Sequence, residues 1–130
     1  MMTPTAEQEA LVKEQRLGVL ATQKKDGSPQ LTPIFYAYQD GRIVVSITRT
    51  RAKYHKIRRS SQVSICIMKP EGRPYVTVYG QAQIEEEDIV DGTAAVFKRF
   101  NDQALPDNFE AGLREQERVL VLITPEKFVP

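Results

Sequence analysis

The chain has 130 residues, the size of one domain, with 18 Lys and Arg against 17 Asp and Glu and a net charge of +1. That balance argues against a strongly basic, nonspecific nucleic-acid binder. No apolar run approaches the length of a membrane span, and residues 1–9 lack the basic and apolar regions of a secretory signal, so a soluble cytoplasmic protein is expected.

In chain order, residues 6–15 read as a short helix, with Thr5 as its cap and Thr3 before Pro4 as a competing start. Ala10 and Leu11 face inward at helical spacing. Residues 17–22 form a first strand in which Gly18 marks a close approach or a bend. Asp26-Gly27 gives a turn into a second strand, residues 30–38, interrupted at Pro33 by a missing N–H. Asp40-Gly41 turns into a third strand, residues 42–47, and the three together read as an antiparallel meander.

Residues 43–59 are the stretch around which the chain is organised. Ile43, Val44, Val45 and Ile47 favour a strand, and Thr50 is placed to cap a helix over residues 51–59. Arg49, Arg51, Lys53, Lys56, Arg58 and Arg59 follow with no acid among them. A helix N-terminus carries free N–H groups and partial positive charge, so Arg51 and Lys53 in the first turn suit a phosphate. A charge run is more usually a solvated helix face.

Further on come a strand over residues 62–68, a Pro- and Gly-rich loop, and a long strand over residues 75–84. Cys66, the single cysteine, falls in the apolar pattern of the first of these and reads as a small buried hydrophobe. A helix over residues 87–100 carries Ile89, Thr93, Val96 and Phe100 on one stripe, widened by Ala94 and Phe97. A loop over residues 103–108 leads to a short helix, residues 109–116, and a last strand, residues 118–124, stopped by Pro125. Six mostly antiparallel strands with short helices indicate a mainly β fold, a small barrel or a curled sheet.

Acid–base chemistry is thinly provided. His55 is the single histidine, no Gly-x-Gly-x-x-Gly follows the first strand, and no metal-ligand spacing or nucleophile motif is present. A chain equipped for an anion but poor in catalysts fits redox work done by a cofactor, or plain binding.

The chain resembles the flavin and deazaflavin oxidoreductases of the pyridoxamine 5'-phosphate oxidase-like split-barrel superfamily, and is most similar to the small branch that uses coenzyme F420. The resemblance rests on Gly18-Val19-Leu20-Ala21-Thr22 with residues 26–33, on Arg51-Ala52-Lys53 running on to residues 57–59 and 63–65, and on residues 75–82. Where the family has Asn-Pro or Asp-Pro after the basic helix, this chain has Ser60-Ser61. The resemblance implies a six-stranded antiparallel split β-barrel of the FMN-binding type, a single domain over residues 1–130, and a homodimer with the cofactor in grooves between the barrels. It implies that Gln30, Thr32, Pro33 and Ile34 line the ring, and that Ser46, Ile47 and Thr48 border the ribityl chain and phosphate. Arg51 and Lys53 take the phosphate, Lys56 reaches toward the acidic tail of F420, and Tyr79 faces the partner's pocket. Ile34, Ile47 and Tyr79 serve equally as core or interface packing. The implied function is hydride transfer between reduced F420 and a small conjugated or electron-poor acceptor such as a quinone, enone, nitro-aromatic or bilin. FMN is the alternative cofactor, and a non-enzymatic binding protein the alternative role. The proton comes from solvent, Tyr79 or Tyr36. No metal, nucleic acid or membrane enters.

Overall fold

The structure, a computed structural model, describes residues 3–100 and 104–130, apart from the side chain of Phe100. Phe100 on the expected helix stripe and residue 103 of the expected loop therefore lie outside the described side chains and residues. The elements run α1 (Ala6–Glu14), β1 (Leu17–Gln23), β2 (Pro29–Phe35), β3 (Ala37–Gln39), β4 (Arg42–Thr48), α2 (Ala52–Arg59), β5 (Gln62–Met68), β6 (Tyr75–Glu85), α3 (Val90–Phe100), α4 (Phe109–Glu115) and β7 (Arg118–Val129). All strand pairs are antiparallel, in one sheet ordered β2-β1-β5-β6-β7-β4-β3.

That order has seven strands, not six, and corrects the expected meander. The second strand breaks at Tyr36. Its first half pairs with β1 and its second half with β4, at the opposite edge of the sheet. Two strands joined by one residue thus occupy the two ends of the ladder. A chain that short can reach both ends only if the sheet rolls until they approach, so the sheet is a curled half-barrel. Tyr36 fixes the joint. It is fully buried, its N–H donates to Arg16 O (3.0 Å), and its hydroxyl donates to Val12 O (2.6 Å). Val12 O belongs to the last turn of α1, where carbonyls lack helical partners. Pro33 lies on the edge strand β2 in regular register with Val19, so its missing N–H costs no irregularity.

Alternation places the core. Val63, Ile65 and Ile67 of β5 and Val76 and Val78 of β6 point into the roll with Leu20, Ile43, Val45, Val121 and Ile123. Gly18 fits its expected part as a close approach, since a Cβ there would lie 2.8 Å from Ile65 Cδ1. β4 and β7 are buried on both faces. Val44 and Leu120 point outward into a second cluster with Ala37, Ile89, Val96 and Leu113, which seats α3 and α4 on the outside of the sheet.

Several boundaries move. α1 has its Thr5 cap, with Gln8 completing a capping box, but its inward residues are Leu11 and Val12 while Ala10 is exposed. α3 starts at Val90 rather than 87. Glu85 accepts the N–H groups of Glu87 (3.1 Å) and Asp88 (3.3 Å) and holds that segment as a turn. Pro125 does not stop the last strand. β7 continues to Val129 through an irregularity opposite Tyr79 and Gly80, where a Cβ on Gly80 would lie 2.4 Å from Thr124 O. Cys66 sits half-buried on the outer parity of β5, away from the core side.

Tyr36→Phe keeps the packed ring but leaves Val12 O buried without its donor. It is expected to lower unfolding free energy by about 1–3 kcal/mol, read from the denaturation midpoint at an unchanged m-value.

Candidate functional site

The roll leaves β2 and β4 in contact but not hydrogen-bonded to each other. A groove of about 410 Å³ opens there. It is lined by Thr32, Pro33, Ile34 and Phe35 of β2, Ser46, Ile47 and Thr48 of β4, Arg51 and Lys53, Val96 and Phe97 of α3, and Arg118 at the start of β7.

Helix α2 delivers its charges selectively. Ile57 anchors the helix in the core. Tyr54 packs against the core's edge and its hydroxyl donates to Glu86 Oε1 (3.0 Å), which also accepts from Arg49 Nε (3.1 Å). Arg58 donates to the Tyr54 hydroxyl (3.2 Å) and its guanidinium lies 5.7 Å from the ring centroid. Glu86 thus engages Arg49, and Tyr54 engages Arg58. Arg51 and Lys53 remain for the groove, and among the described residues neither has a carboxylate within 4.0 Å. The expected cap at Thr50 is not formed. Arg51 occupies the N-cap without a side-chain bond, and Thr50 Oγ1 instead lies 3.0 Å from Thr48 Oγ1.

Arg118 enters the groove from the start of β7. It pairs across the sheet with Thr48, and Phe97 lies beneath its guanidinium at 5.6 Å. The groove lining contains three cations and no acid. The crowding registers in the titration of its members. Burial first, then the nearby charges of Arg51 and Lys56, push the Lys53 ammonium below the ordinary lysine value. Burial first, then Arg51, lower the Arg118 guanidinium, which still stays charged at any working pH.

Of the residues singled out from sequence, Thr32, Pro33, Ile34, Ser46, Ile47, Thr48, Arg51 and Lys53 meet in this groove. Gln30, Lys56 and Tyr79 do not line it. Gln30 is half-buried on β2 opposite Thr22, Lys56 is half-buried further along α2, and Tyr79 is exposed on the outer face of β6. Tyr36 is removed as a proton source. Its hydroxyl is committed to Val12 O and burial pushes its pKa well above the ordinary phenol value. The sequence reading missed Phe35, Val96, Phe97 and Arg118. Phe35 continues the Pro33 parity and was within reach of that reasoning. The other three enter only through the α3 packing and the β4–β7 pairing.

The donor set fits a phosphorylated ligand: two guanidinium groups, one ammonium and the hydroxyls of Ser46 and Thr48, beside the apolar side chains of Pro33, Ile34, Phe35 and Val96. The sequence profile of the pyridoxamine 5'-phosphate oxidase family matches residues 4–129. The chain belongs to that family. Among solved structures of the split-barrel superfamily it is similar to an F420 reductase (23% identity, 98% of each chain covered, TM-score 0.78). It is also similar to a conserved hypothetical protein from Mycobacterium tuberculosis (26% identity, covering 98% of this chain and 83% of that one, TM-score 0.82). An FAD-binding protein from Mesorhizobium loti shares the fold as well (24% identity, covering 97% and 92%, TM-score 0.71). Among the described residues no helix is long and apolar enough to cross a membrane.

A bound anion restores the Lys53 proton affinity that burial and Arg51 lower, so the bound state holds more proton than the free state. Sulfate affinity is therefore full below the free-state Lys53 pKa and falls as pH rises through it toward 10.5. Sulfate titrations followed by amide chemical shifts of residues 48–53 are expected to show this fall, and Lys53→Arg to flatten it.

Proposed function

We propose that the groove holds the phosphorylated tail of a deazaflavin, and that the protein is an F420-dependent oxidoreductase acting on a small conjugated or electron-poor acceptor. The observation that carries this reading is the acid-free meeting of Arg51, Lys53 and Arg118 beside an apolar wall. Like charges brought together at partial burial repel, and a phosphate placed among them relieves that repulsion through charge-assisted hydrogen bonds.

When bound, the cofactor supplies hydride transfer, and the protein supplies position and exclusion of water. Lys53 and Arg51 hold the phosphate, with the Thr48 hydroxyl beside them. β2 is an edge strand, so its outer backbone groups would be available to the polar edge of the ring, and Pro33, Ile34 and Phe35 would supply apolar lining beside it. With Tyr36 committed elsewhere, the proton comes from solvent or from Tyr79 of a second copy.

Positive charge running past the groove along α2, at Lys56 and Arg59, favours F420 with its acidic tail over FMN. Arg49, engaged by Glu86, adds nothing to that preference. FMN is the second reading, supported by the flavin-binding relative of the same fold.

A homodimer belongs to this proposal. The outer residues of β2, β1, β5 and β6 align in two rows across four strands, Leu31, Ala21, Ser64 and Tyr79, then Pro33, Val19, Cys66 and Thr77, with the pairs Phe35–Leu17 and Met68–Tyr75 at their end. None carries a charge. All six exposed large hydrophobics of the described residues lie here, Leu31 at 62% exposure. Helices α3 and α4 cover the other half of the sheet and leave this half bare. Pro33 and Phe35 belong both to this face and to the groove, so a second copy on the face would close the groove's open side.

Fluorescence titration with F420 and FMN tests the cofactor. Lys53→Ala is expected to lose about 1.5–3 kcal/mol, roughly 10- to 150-fold in affinity, with little change in unfolding midpoint. Equal affinity of wild type and variant would remove the phosphate assignment. Leu31→Glu is expected to yield monomers in sedimentation and to weaken cofactor binding with them. A monomeric wild type would end the shared-groove reading.

A further inference from the structure

Arg118 has no part in the anion site read from the sequence, yet its surroundings are those of a prepared recognition group. It starts β7 and pairs with Thr48, which places it at the groove beside the end of β4. Three contacts hold its plane. Nε donates to Gln116 Oε1 (3.1 Å), Nη1 reaches Ser46 Oγ (3.4 Å), and the Phe97 ring lies 5.6 Å from the guanidinium carbon. A guanidinium has about five N–H donors. Two are used here, and among the described residues no protein acceptor takes the other three. No carboxylate lies within 4.0 Å of it either. The half-buried guanidinium is thus held on three sides, with its remaining N–H groups open to water or to a ligand's oxygens. Its free donors face the same groove as Arg51 and Lys53.

We infer that Arg118 is the second anchor of the anion site, gripping a phosphoryl group from the β7 wall through the two-pronged edge of its guanidinium while Lys53 and Arg51 hold it from helix α2. This rests on the reading of the groove as a phosphate site, and deepens it in one respect. The Lys53 ammonium binds an oxyanion as a point charge, whereas a fixed planar fork engages two oxygens of a phosphoryl or carboxylate group at once. Arg118 thereby sets the preference for phosphorylated over unphosphorylated ligand, and Phe97 and Gln116 are positioning residues for it. In this reading the ring's contribution to affinity is the same with or without Arg118.

The test compares the full chain with Arg118→Gln and Arg118→Lys, using two ligand pairs: FMN against riboflavin, and F420 against its unphosphorylated deazaflavin core. Affinities are read by fluorescence, without turnover, and folding by the thermal midpoint. Wild type is expected to favour the phosphorylated member of at least one pair. Arg118→Gln is expected to lose at least tenfold of that preference with the unphosphorylated ligand bound as before. Arg118→Lys, which keeps the charge and the fold but lacks the fork, is expected to recover only part of it. An unchanged preference in Arg118→Gln, or full retention in Arg118→Lys, overturns the role given to Arg118 while leaving the Lys53 site standing. A wild type with no preference in either pair overturns the phosphate reading itself.

Discussion

The constraint from which the rest follows is the single-residue joint at Tyr36. β2 and β3 are consecutive in the chain but stand at opposite ends of the hydrogen-bonded ladder. The sheet therefore has to curl, and the buried Tyr36 side chain, bonded to the end of α1, makes the bend part of the core. The curl brings β2 beside β4 without a ladder between them. The gap so created is the groove, and its walls are supplied by strands far apart in sequence.

Electrostatic sorting then gives the groove its character. The basic run of α2 is not presented whole. Glu86, from the turn after β6, draws off Arg49, and Tyr54 occupies Arg58. What reaches the groove is Arg51 and Lys53, joined by Arg118 from β7. Two half-buried cations and the exposed Arg51, brought together without an acid, repel one another, and such an arrangement is an indication of a ligand that neutralises them. The same division of labour holds for apolar surface. Helices α3 and α4 close one half of the outer sheet, and the other half stays bare and uncharged, with its edge at the groove mouth.

Much of the chain was legible from local chemistry. Alternation identified β1, β4, β5 and β6 close to their observed ends, Thr5 as a cap pointed to the start of α1, and the order of short motifs pointed to the family whose profile covers residues 4–129. These features depend on near neighbours, and periodicity and capping are near-neighbour properties. The errors share a different cause. The split of the second strand depends on which partner each half finds. The passage of β7 through Pro125 depends on the accommodation at Gly80. The outward position of Cys66 is set by a parity that the apolar run alone does not reveal.

The sequence by itself determined most strand-forming segments and the cationic turn after β4 with Arg51 and Lys53, because these follow from residue type and short spacing, while the groove residues of β2 and β4 came from the resemblance to the family. Only the tertiary structure decided which cations remain unpaired, that Tyr36 is a structural hinge and not a proton source, and that Arg118 and Phe97 join Lys53 at the groove. Those outcomes rest on contacts between segments separated by up to 72 positions, as between Ser46 and Arg118, and the distance between such segments is fixed by how the sheet rolls, which no local pattern encodes.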